Sequence, residues 1–164
     1  MGTKAREIVR LDVEELIEKL NAALADEWLA FYQYWIGAQV VKGPMRSQVI
    51  AELMEHAHEE YEHAQQLADR IMQLEGVPLL SPEMWYDATN CGYAPPEDTR
   101  VGPVLQQNLE GEQCAIKAYQ ELVDLTREAD AATHEMIVSI LQDELHHEED
   151  LEDLLEDIEV GLGS

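Results

Sequence analysis

The sequence has 164 residues, enough for a hydrophobic core, and we predict a single domain over residues 1–164. It carries 35 acidic residues against 10 Lys and Arg, a formal net charge of −25, which disfavours nucleic acid and anionic membranes as partners and favours cations. With no run of 18 apolar residues and no apolar signal core, the sequence predicts a cytoplasmic protein without a membrane segment. A well-solvated surface or a salt-rich host would explain the acidity equally well.

Apolar residues recur at helical spacing in four long segments. The first segment begins with a capping box at Asp12 and ends at a Lys42-Gly43-Pro44 break. The second ends at Gly76, and a crossover follows in which SPEMWYD predicts one short helix. The predicted helices span residues 12–41, 44–75, 102–128 and 131–159, with the crossover over 77–100. Two short turns and one long crossover predict an all-α four-helix bundle with up-down-down-up topology.

Each predicted helix has an apolar seam that a glutamate interrupts near its middle. The seams advance in alternating steps of three and four residues, the spacing of a bundle interior. The four core glutamates are Glu27, Glu60, Glu112 and Glu144. The second and fourth begin Glu-x-x-His motifs, which add His63 and His147 on the same helical faces. The first and third are each followed seven residues later by a tyrosine, Tyr34 and Tyr119, so the two halves predict a pseudo-twofold axis.

Four converging carboxylates repel one another strongly unless cations neutralise them or protons stay bound. No basic residue lies beside the glutamates in the seams, so cations must come from outside the chain. Two Glu and two Glu-x-x-His units are the ligand set of dinuclear carboxylate bundles. Oxygen donors with one imidazole per ion suit iron and manganese. The sequence therefore predicts two iron ions per chain, with manganese or zinc as substitutes.

Other histidines lie outside the predicted seams. Glu55, His56 and His58 are predicted to lie on a solvated face or to make secondary contacts with iron. His134 and His146 are predicted to be ordinary surface residues.

Motifs on all four helices, covering nearly the whole chain, resemble the ferroxidase signature of bacterioferritin, a ferritin-like protein. The matching positions are Glu27, Gln33-Tyr34, Glu60-x-x-His63, Glu112 and Asp143-Glu144-x-x-His147. The resemblance implies two bridging glutamates, with one further glutamate and one histidine for each ion. In that assignment Glu60 and Glu144 bridge, Glu27 and His63 complete one ion, and Glu112 and His147 complete the other.

The resemblance also bears on Tyr34 and on haem. Tyr34 matches a tyrosine near the metal centre, which implies that it donates an electron or a hydrogen bond; a packed core tyrosine is an equally good interpretation. Where bacterioferritin has its haem-ligating methionine, this sequence has Tyr61. Haem is therefore not expected.

The sequence stops 17 residues after His147, without the fifth helix of 24-subunit ferritins, and in this it resembles the 12-subunit Dps-type cages. A bacterioferritin-like site on such a chain is similar to the Dps-like proteins called thioferritins, which carry a cysteine pair. Cys91-Gly92 and Cys114 match that pair. The resemblance implies a disulfide that passes electrons towards the site, and two unpaired core cysteines are the alternative. Two residues turn a helix by about 200°, so Cys114 is expected beside or behind the third helix rather than on a metal.

The resemblance implies a ferroxidase that oxidises Fe(II) with hydrogen peroxide or dioxygen, stores Fe(III) mineral in a 12-subunit cage and protects against oxidative stress. Acidic residues predicted to line the interior are Glu52, Glu55, Glu59, Glu149 and Glu156. One alternative is a soluble di-metal peroxidase or manganese catalase without storage. Another is a non-catalytic DNA-coating cage, for which the only indication is the basic N-terminal group Lys4, Arg6 and Arg10.

Overall fold

The computed structural model describes residues 3–163. Its helices are α1 Lys4–Glu7, α2 Val13–Val40, α3 Arg46–Gln73, α4 Trp85–Ala88, preceded by a 3-10 turn Pro82–Met84, α5 Val101–Thr126 and α6 Ala131–Gly163. The prediction of an all-α four-helix bundle is confirmed, with α2, α3, α5 and α6 as the four long helices. No helix in the described range has an apolar stretch long enough to cross a membrane.

Two hydrophobic clusters fill the bundle, one towards each end. The largest fully buried members of the first are Leu16, Leu20, Leu67, Ile71, Leu74, Tyr119, Ile137 and Ile140. Those of the second are Tyr34, Leu53, Leu105 and Leu151. On every long helix the core glutamate falls between the residues of the two clusters. Apolar packing on both sides, worth about 1.5–3 kcal/mol for each buried large side chain, therefore holds the polar groups at mid-bundle.

The same two clusters define the direction of each helix. α2 runs from the first cluster to the second, and α3 returns from the second to the first. The crossover then leads into α5, which runs in the same direction as α3, and α6 runs back parallel to α2. The topology is therefore up-down-down-up, as predicted.

The turn between α2 and α3 is longer than predicted, because α2 ends at Val40 and α3 begins at Arg46, two residues later than the predicted helix. Gly43 and Met45 both adopt positive φ, at 131° and 55°, which ends helical geometry across the turn. A Cβ atom on Gly43 would lie 3.2 Å from Cγ2 of Val101, so the turn packs against the first residue of α5. The N–H of Val101 donates to the carbonyl oxygen of Lys42 at 3.0 Å.

The crossover is anchored to α2. The buried carboxylate of Asp26 accepts hydrogen bonds from the Thr89 hydroxyl at 2.5 Å and from the Cys91 N–H at 3.0 Å. Trp85 of α4 stacks on Trp28 of α2 with ring centroids 5.7 Å apart. These contacts hold Cys91 close to the middle of the bundle.

Candidate metal centre

Six side chains from the four long helices meet between the two hydrophobic clusters. They are Glu27 of α2, Glu60 and His63 of α3, Glu112 of α5, and Glu144 and His147 of α6. None of the six is more than 3 % exposed. Within each Glu-x-x-His motif the two residues are i and i+3, so one helical face presents both side chains to the centre.

The six side chains form two overlapping groups of potential ligand atoms. One group consists of Glu27, Glu60, His63 and Glu144, and the other of Glu60, Glu112, Glu144 and His147. Within each group the ligand atoms all lie within 4.8 Å of one another. Two glutamates, one from each Glu-x-x-His motif, belong to both groups.

Each of these two shared glutamates, Glu60 and Glu144, directs one carboxylate oxygen towards each histidine. Glu60 places Oε2 3.3 Å from Nδ1 of His63 and Oε1 3.2 Å from Nδ1 of His147. Glu144 places Oε1 3.3 Å from Nδ1 of His63 and Oε2 3.4 Å from Nδ1 of His147. One oxygen towards each side is the arrangement of a carboxylate that bridges two ions.

The other two glutamates, Glu27 and Glu112, each belong to one of the two groups. Each accepts a hydrogen bond from a tyrosine. Oε2 of Glu27 lies 3.5 Å from Nδ1 of one histidine, and Oε1 of Glu112 lies 3.6 Å from Nδ1 of the other. The Tyr119 hydroxyl donates to Glu27, and the Tyr34 hydroxyl donates to Glu112. Burial and the nearby carboxylates raise the pKa of both phenols well above the ordinary value. Tyr119 is outside the predicted site residues, although the internal repeat is a signal that identifies it.

The outer nitrogen of each histidine faces a half-exposed carboxylate. Nε2 of His63 lies 3.0 Å from Oδ2 of Asp143, and Nε2 of His147 lies 2.5 Å from Oε2 of Glu59. Such carboxylates fix the orientation and tautomer of metal-binding imidazoles. Both acids directly precede a Glu-x-x-His motif, which is the sequence signal for this role. The sequence predicts Glu59 only as an interior acid.

The electrostatics of the centre favour cations. Burial raises the pKa of Glu60 and Glu144, and neighbouring core carboxylates raise it further. Burial acts to lower the pKa of His63 and His147, but the carboxylates around each ring outweigh burial and raise it. The site therefore holds more negative charge than its own side chains can neutralise.

Several of these buried atoms also lack hydrogen-bond partners among the described residues. They are Oε2 of Glu27, Oε1 of Glu60, both carboxylate oxygens of Glu144 and Nδ1 of His147. Buried polar atoms without partners are uncommon in folded proteins. Divalent cations would satisfy these atoms, and carboxylate oxygens with one imidazole per ion suit Fe(II), Mn(II) and Zn(II). The residues present thus fit a pair of metal ions.

A family model described as a ferritin-like domain matches residues 17–160. The chain belongs to the ferritin-like family. A bacterioferritin-related protein from Bacteroides fragilis, described as a dodecameric thioferritin, has a similar structure with a TM-score of 0.97. It is 46 % identical in sequence, and the match covers 99 % of this chain and 98 % of that chain.

Two relatives with lower identity support the same family. The DNA protection during starvation protein of Pyrococcus furiosus is 33 % identical over 148 residues, which is 88 % of this chain and 79 % of the relative. The bacterioferritin of Rhodobacter capsulatus is 32 % identical over 139 residues, 84 % of this chain and 81 % of the relative. The resemblance to bacterioferritin-related, Dps-like proteins is thereby confirmed.

This ferritin-like chain contains a disulfide beside the carboxylate cluster. Cys91 of the crossover and Cys114 of α5 are bonded, with their Cα atoms 5.8 Å apart. A pocket is lined by Cys91 and Gly92 together with all four core glutamates. Cys114 belongs to neither group of ligand atoms. The disulfide therefore borders the pocket without contributing a ligand.

The prediction that His56 lies on a solvated face is wrong. His56 is 1 % exposed, and its ring stacks on that of His147 with centroids 4.1 Å apart. The ring of Tyr34 packs edge-on against it at 5.2 Å. His56 precedes Glu60 by one helical turn, so it continues the buried face of α3 beyond the narrow seam through Ala57. Because α6 presents an aromatic ring at that point, the buried face is wider than the apolar pattern indicates.

The other histidines and acidic residues singled out in the sequence are either exposed or half-buried. Glu55, His58 and His146 are exposed, as predicted. His134 is half-buried, and its Nδ1 lies 3.1 Å from the carbonyl oxygen of Val123, so it is part of the contact between α5 and α6 rather than an ordinary surface residue. Of the predicted interior acids, Glu149 and Glu156 are exposed like Glu55, while Glu52 and Glu59 are half-buried.

Proposed function

We propose that this chain is a di-iron ferroxidase that oxidises Fe(II) and stores the Fe(III) product. One observation carries the proposal: Glu60 and Glu144 each direct one oxygen towards His63 and the other towards His147. Carboxylates in this arrangement bridge two ions in dinuclear bundles. Two divalent ions would also neutralise the four buried glutamates, whose desolvation is otherwise uncompensated.

In this proposal each iron has its own glutamate and histidine in addition to the bridges. Glu27 and His63 serve one iron, and Glu112 and His147 serve the other. Each Fe(II) substrate ion gives up one electron. Two such electrons and two protons convert one hydrogen peroxide into two water molecules, or one dioxygen into one hydrogen peroxide. The chain contributes the fixed spacing of the ions, imidazoles oriented by Asp143 and Glu59, and a pocket shielded from bulk water.

The cysteine pair has a redox role in the same proposal. Oxidation of the Cys91 and Cys114 thiols to the disulfide releases two electrons and two protons, which is the amount that reduces one peroxide to water. The pair borders the pocket that the four core glutamates line. Disulfides in cytosolic proteins of mesophiles are usually transient and catalytic or redox-sensing. A role in peroxide reduction therefore agrees with the proposed cytoplasmic location.

We place this activity in a 12-subunit cage, because the Bacteroides fragilis protein at 46 % identity is described as dodecameric. Fe(III) leaving the centre would nucleate mineral on interior acids. Consuming peroxide together with Fe(II) removes both reactants of hydroxyl-radical chemistry, so we also propose a protective role in oxidative stress.

A second candidate is a soluble di-metal peroxidase or manganese catalase that stores no iron. The disulfide beside the pocket favours it, because a redox-active pair can sustain peroxide turnover without a mineral. Iron retained in a particle of uniform size after oxidation supports storage. Sustained peroxide breakdown with no retained iron supports this second candidate instead.

The direct test is rapid mixing of anaerobic, Fe(II)-loaded protein with hydrogen peroxide or air. We expect Glu60→Ala to slow the fast oxidation phase by about 100-fold or more, because both ions lose a ligand. Glu62→Ala is the matched control, since Glu62 lies on the same helix, is exposed and pairs with the exposed His58 at 3.2 Å. Unchanged kinetics in Glu60→Ala would remove the ferroxidase assignment.

A further inference from the structure

A second histidine–carboxylate cluster lies outside the buried pair of metal groups. It consists of Glu52 and His56 of α3 and Asp150 of α6. Nε2 of His56 is 3.2 Å from Oε1 of Glu52 and 3.4 Å from Oδ2 of Asp150. One ligand atom from each residue lies within 4.8 Å of the other two.

These separations are those of atoms that share one metal ion. Ligand atoms about 2.1 Å from an ion, at angles of about 90–110°, lie about 3.0–3.4 Å apart. The nitrogen–oxygen distances around His56 fall in this range, as do most of those around His63 and His147. The second cluster thus repeats the spacing of the buried centre with one histidine and two carboxylates.

The burial of His56 also points to a ligand. Its imidazole is 1 % exposed, and Nε2, the nitrogen that faces the cluster, lies beside the two carboxylates. The Nε2 atom is aimed between the two carboxylates, which form no ion pair with any Lys or Arg of residues 3–161. The side chains of Glu52 and Asp150 are 29 % and 49 % exposed, so an ion can reach the cluster from solvent.

We propose that Glu52, His56 and Asp150 bind a third divalent transition-metal ion, separately from the buried pair. One imidazole and two carboxylates leave room for water, as in zinc sites with three protein ligands, and the mixed donors also suit Fe(II) and Mn(II). The site lies on the α3–α6 face of the bundle, whereas the pocket bordered by the disulfide opens between α2 and α5.

At this position the third site would bind iron ions that leave the buried centre. The rings of His56 and His147 stack at 4.1 Å, so an ion on His56 is separated from the buried centre by two imidazoles. An ion leaving the centre through the α3–α6 face would meet the two half-exposed carboxylates next. The binding itself requires no oxidation chemistry, and it can be tested with a redox-inactive ion.

The probe is Zn(II), added to the metal-free, fully assembled protein in a buffer with a weak competing chelator. Bound zinc is counted per chain by elemental analysis and located by anomalous diffraction at the zinc edge. We expect an anomalous peak at Nε2 of His56 in addition to the buried pair. The double variant Glu52→Gln/Asp150→Asn should lose one zinc per chain and this peak alone. Both substitutions are at partly exposed positions and preserve side-chain volume, which spares the buried His56.

Asp153→Asn is the matched control, because Asp153 is an exposed acid on α6 outside the cluster, and it should keep the full zinc count. Glu60→Gln should lose zinc from the buried pair and keep the peak at His56. A wild-type peak at His56 with an empty buried pair would support this site and contradict the proposed dinuclear centre. No peak at His56 while the buried pair is filled, or the same zinc count in the double variant as in wild type, would overturn the third site.

Discussion

The tyrosines of the internal repeat bind across the metal centre rather than within their own half. Tyr34 of α2 donates to Glu112 of α5, and Tyr119 of α5 donates to Glu27 of α2. A hydrogen bond to a charged group typically contributes about 1.5–3 kcal/mol. Tyr119 binds Oε1 of Glu27 and leaves Oε2 to face His63. Tyr34 binds Oε1 of Glu112, the same oxygen that lies 3.6 Å from Nδ1 of His147.

Replacing either tyrosine by phenylalanine tests whether the tyrosine acts as a hydrogen-bond donor or as an electron donor. We expect Tyr34→Phe and Tyr119→Phe each to slow Fe(II) oxidation by about tenfold or more, because each loses a hydrogen bond to a charged group that contributes about 1.5–3 kcal/mol. Stopped-flow absorbance measures the rate, and each variant is the control for the other. A large loss confined to Tyr34→Phe, with disappearance of a tyrosyl radical signal by electron paramagnetic resonance, would instead identify Tyr34 as an electron donor.

The disulfide between Cys91 and Cys114 can be tested without iron. Purified under air and denatured without reductant, the protein should show no reactive thiol, and two after reduction, because Cys91 and Cys114 are bonded. The reduced, metal-free protein should then consume one hydrogen peroxide per chain and lose both thiols. Cys114→Ser is the control, since its remaining thiol cannot close the bond. Two free thiols in the air-purified protein would contradict the pairing.

At the scale of helices, a buried ion pair joins α3 to the start of α6. Nη2 of Arg70 donates to both carboxylate oxygens of Asp130 at 2.8 and 3.0 Å, and Nε donates to the Thr133 hydroxyl at 2.8 Å. Asp130 also accepts from the N–H of Thr133 at 3.3 Å. Burial acts to raise the pKa of Asp130, but hydrogen bonds from Thr133 and Arg70 outweigh burial and lower it below the ordinary value of an aspartate.

Asp130→Asn should lower the free energy of unfolding by about 2 kcal/mol at pH 7, because a charged partner of a buried arginine is lost. A carboxylate whose pKa is lowered on folding stabilises the protein above its unfolded pKa. That stabilisation disappears as pH falls through the lower folded pKa, so the difference from wild type should shrink below about pH 4.

Guanidinium unfolding at pH 7 and at pH 3 measures this difference. The control is Asp124→Asn, because the pair of Asp124 with Arg127 at 3.2 Å is 63 % and 58 % exposed and such pairs contribute about 0–1 kcal/mol. A loss at pH 7 no larger than that of the control would show that the buried pair is not stabilising.

At the scale of the whole molecule, charge opposes binding to DNA. The net charge of −25 per chain repels the phosphate backbone, on which non-specific affinity depends. The side chains of Lys4 and Arg6 already pair with Glu7 and Glu14, so phosphates would have to displace these two carboxylates to contact them.

We therefore expect no shift of linear DNA on a gel at low salt, even in excess protein. Reversing the charge of Glu7 and Glu14 to lysine provides the comparison, since it frees the two cations and adds two more. A wild-type shift that added salt abolishes would support the DNA-coating alternative, in keeping with the name of the Pyrococcus furiosus relative.

The six residues of the proposed dinuclear site could be identified from the sequence because they obey the periodicity of single helices. A glutamate in an apolar seam must face the bundle interior, and Glu-x-x-His puts two donors on one face. The topology could be predicted for a similar reason, because one long crossover between two short turns permits few arrangements of four helices.

Contacts between side chains on different helices could not be predicted from the sequence, because they depend on the tertiary structure. Asp143 faces His63 and Glu59 faces His147, each pair joining α3 to α6, and neither helix alone indicates the match. His56 is the clearest case, since its burial results from the ring of His147 on another helix. Periodicity along one helix determines the direction in which a side chain points, but the distance and contents of the neighbouring helix determine what it meets and how wide the buried face becomes.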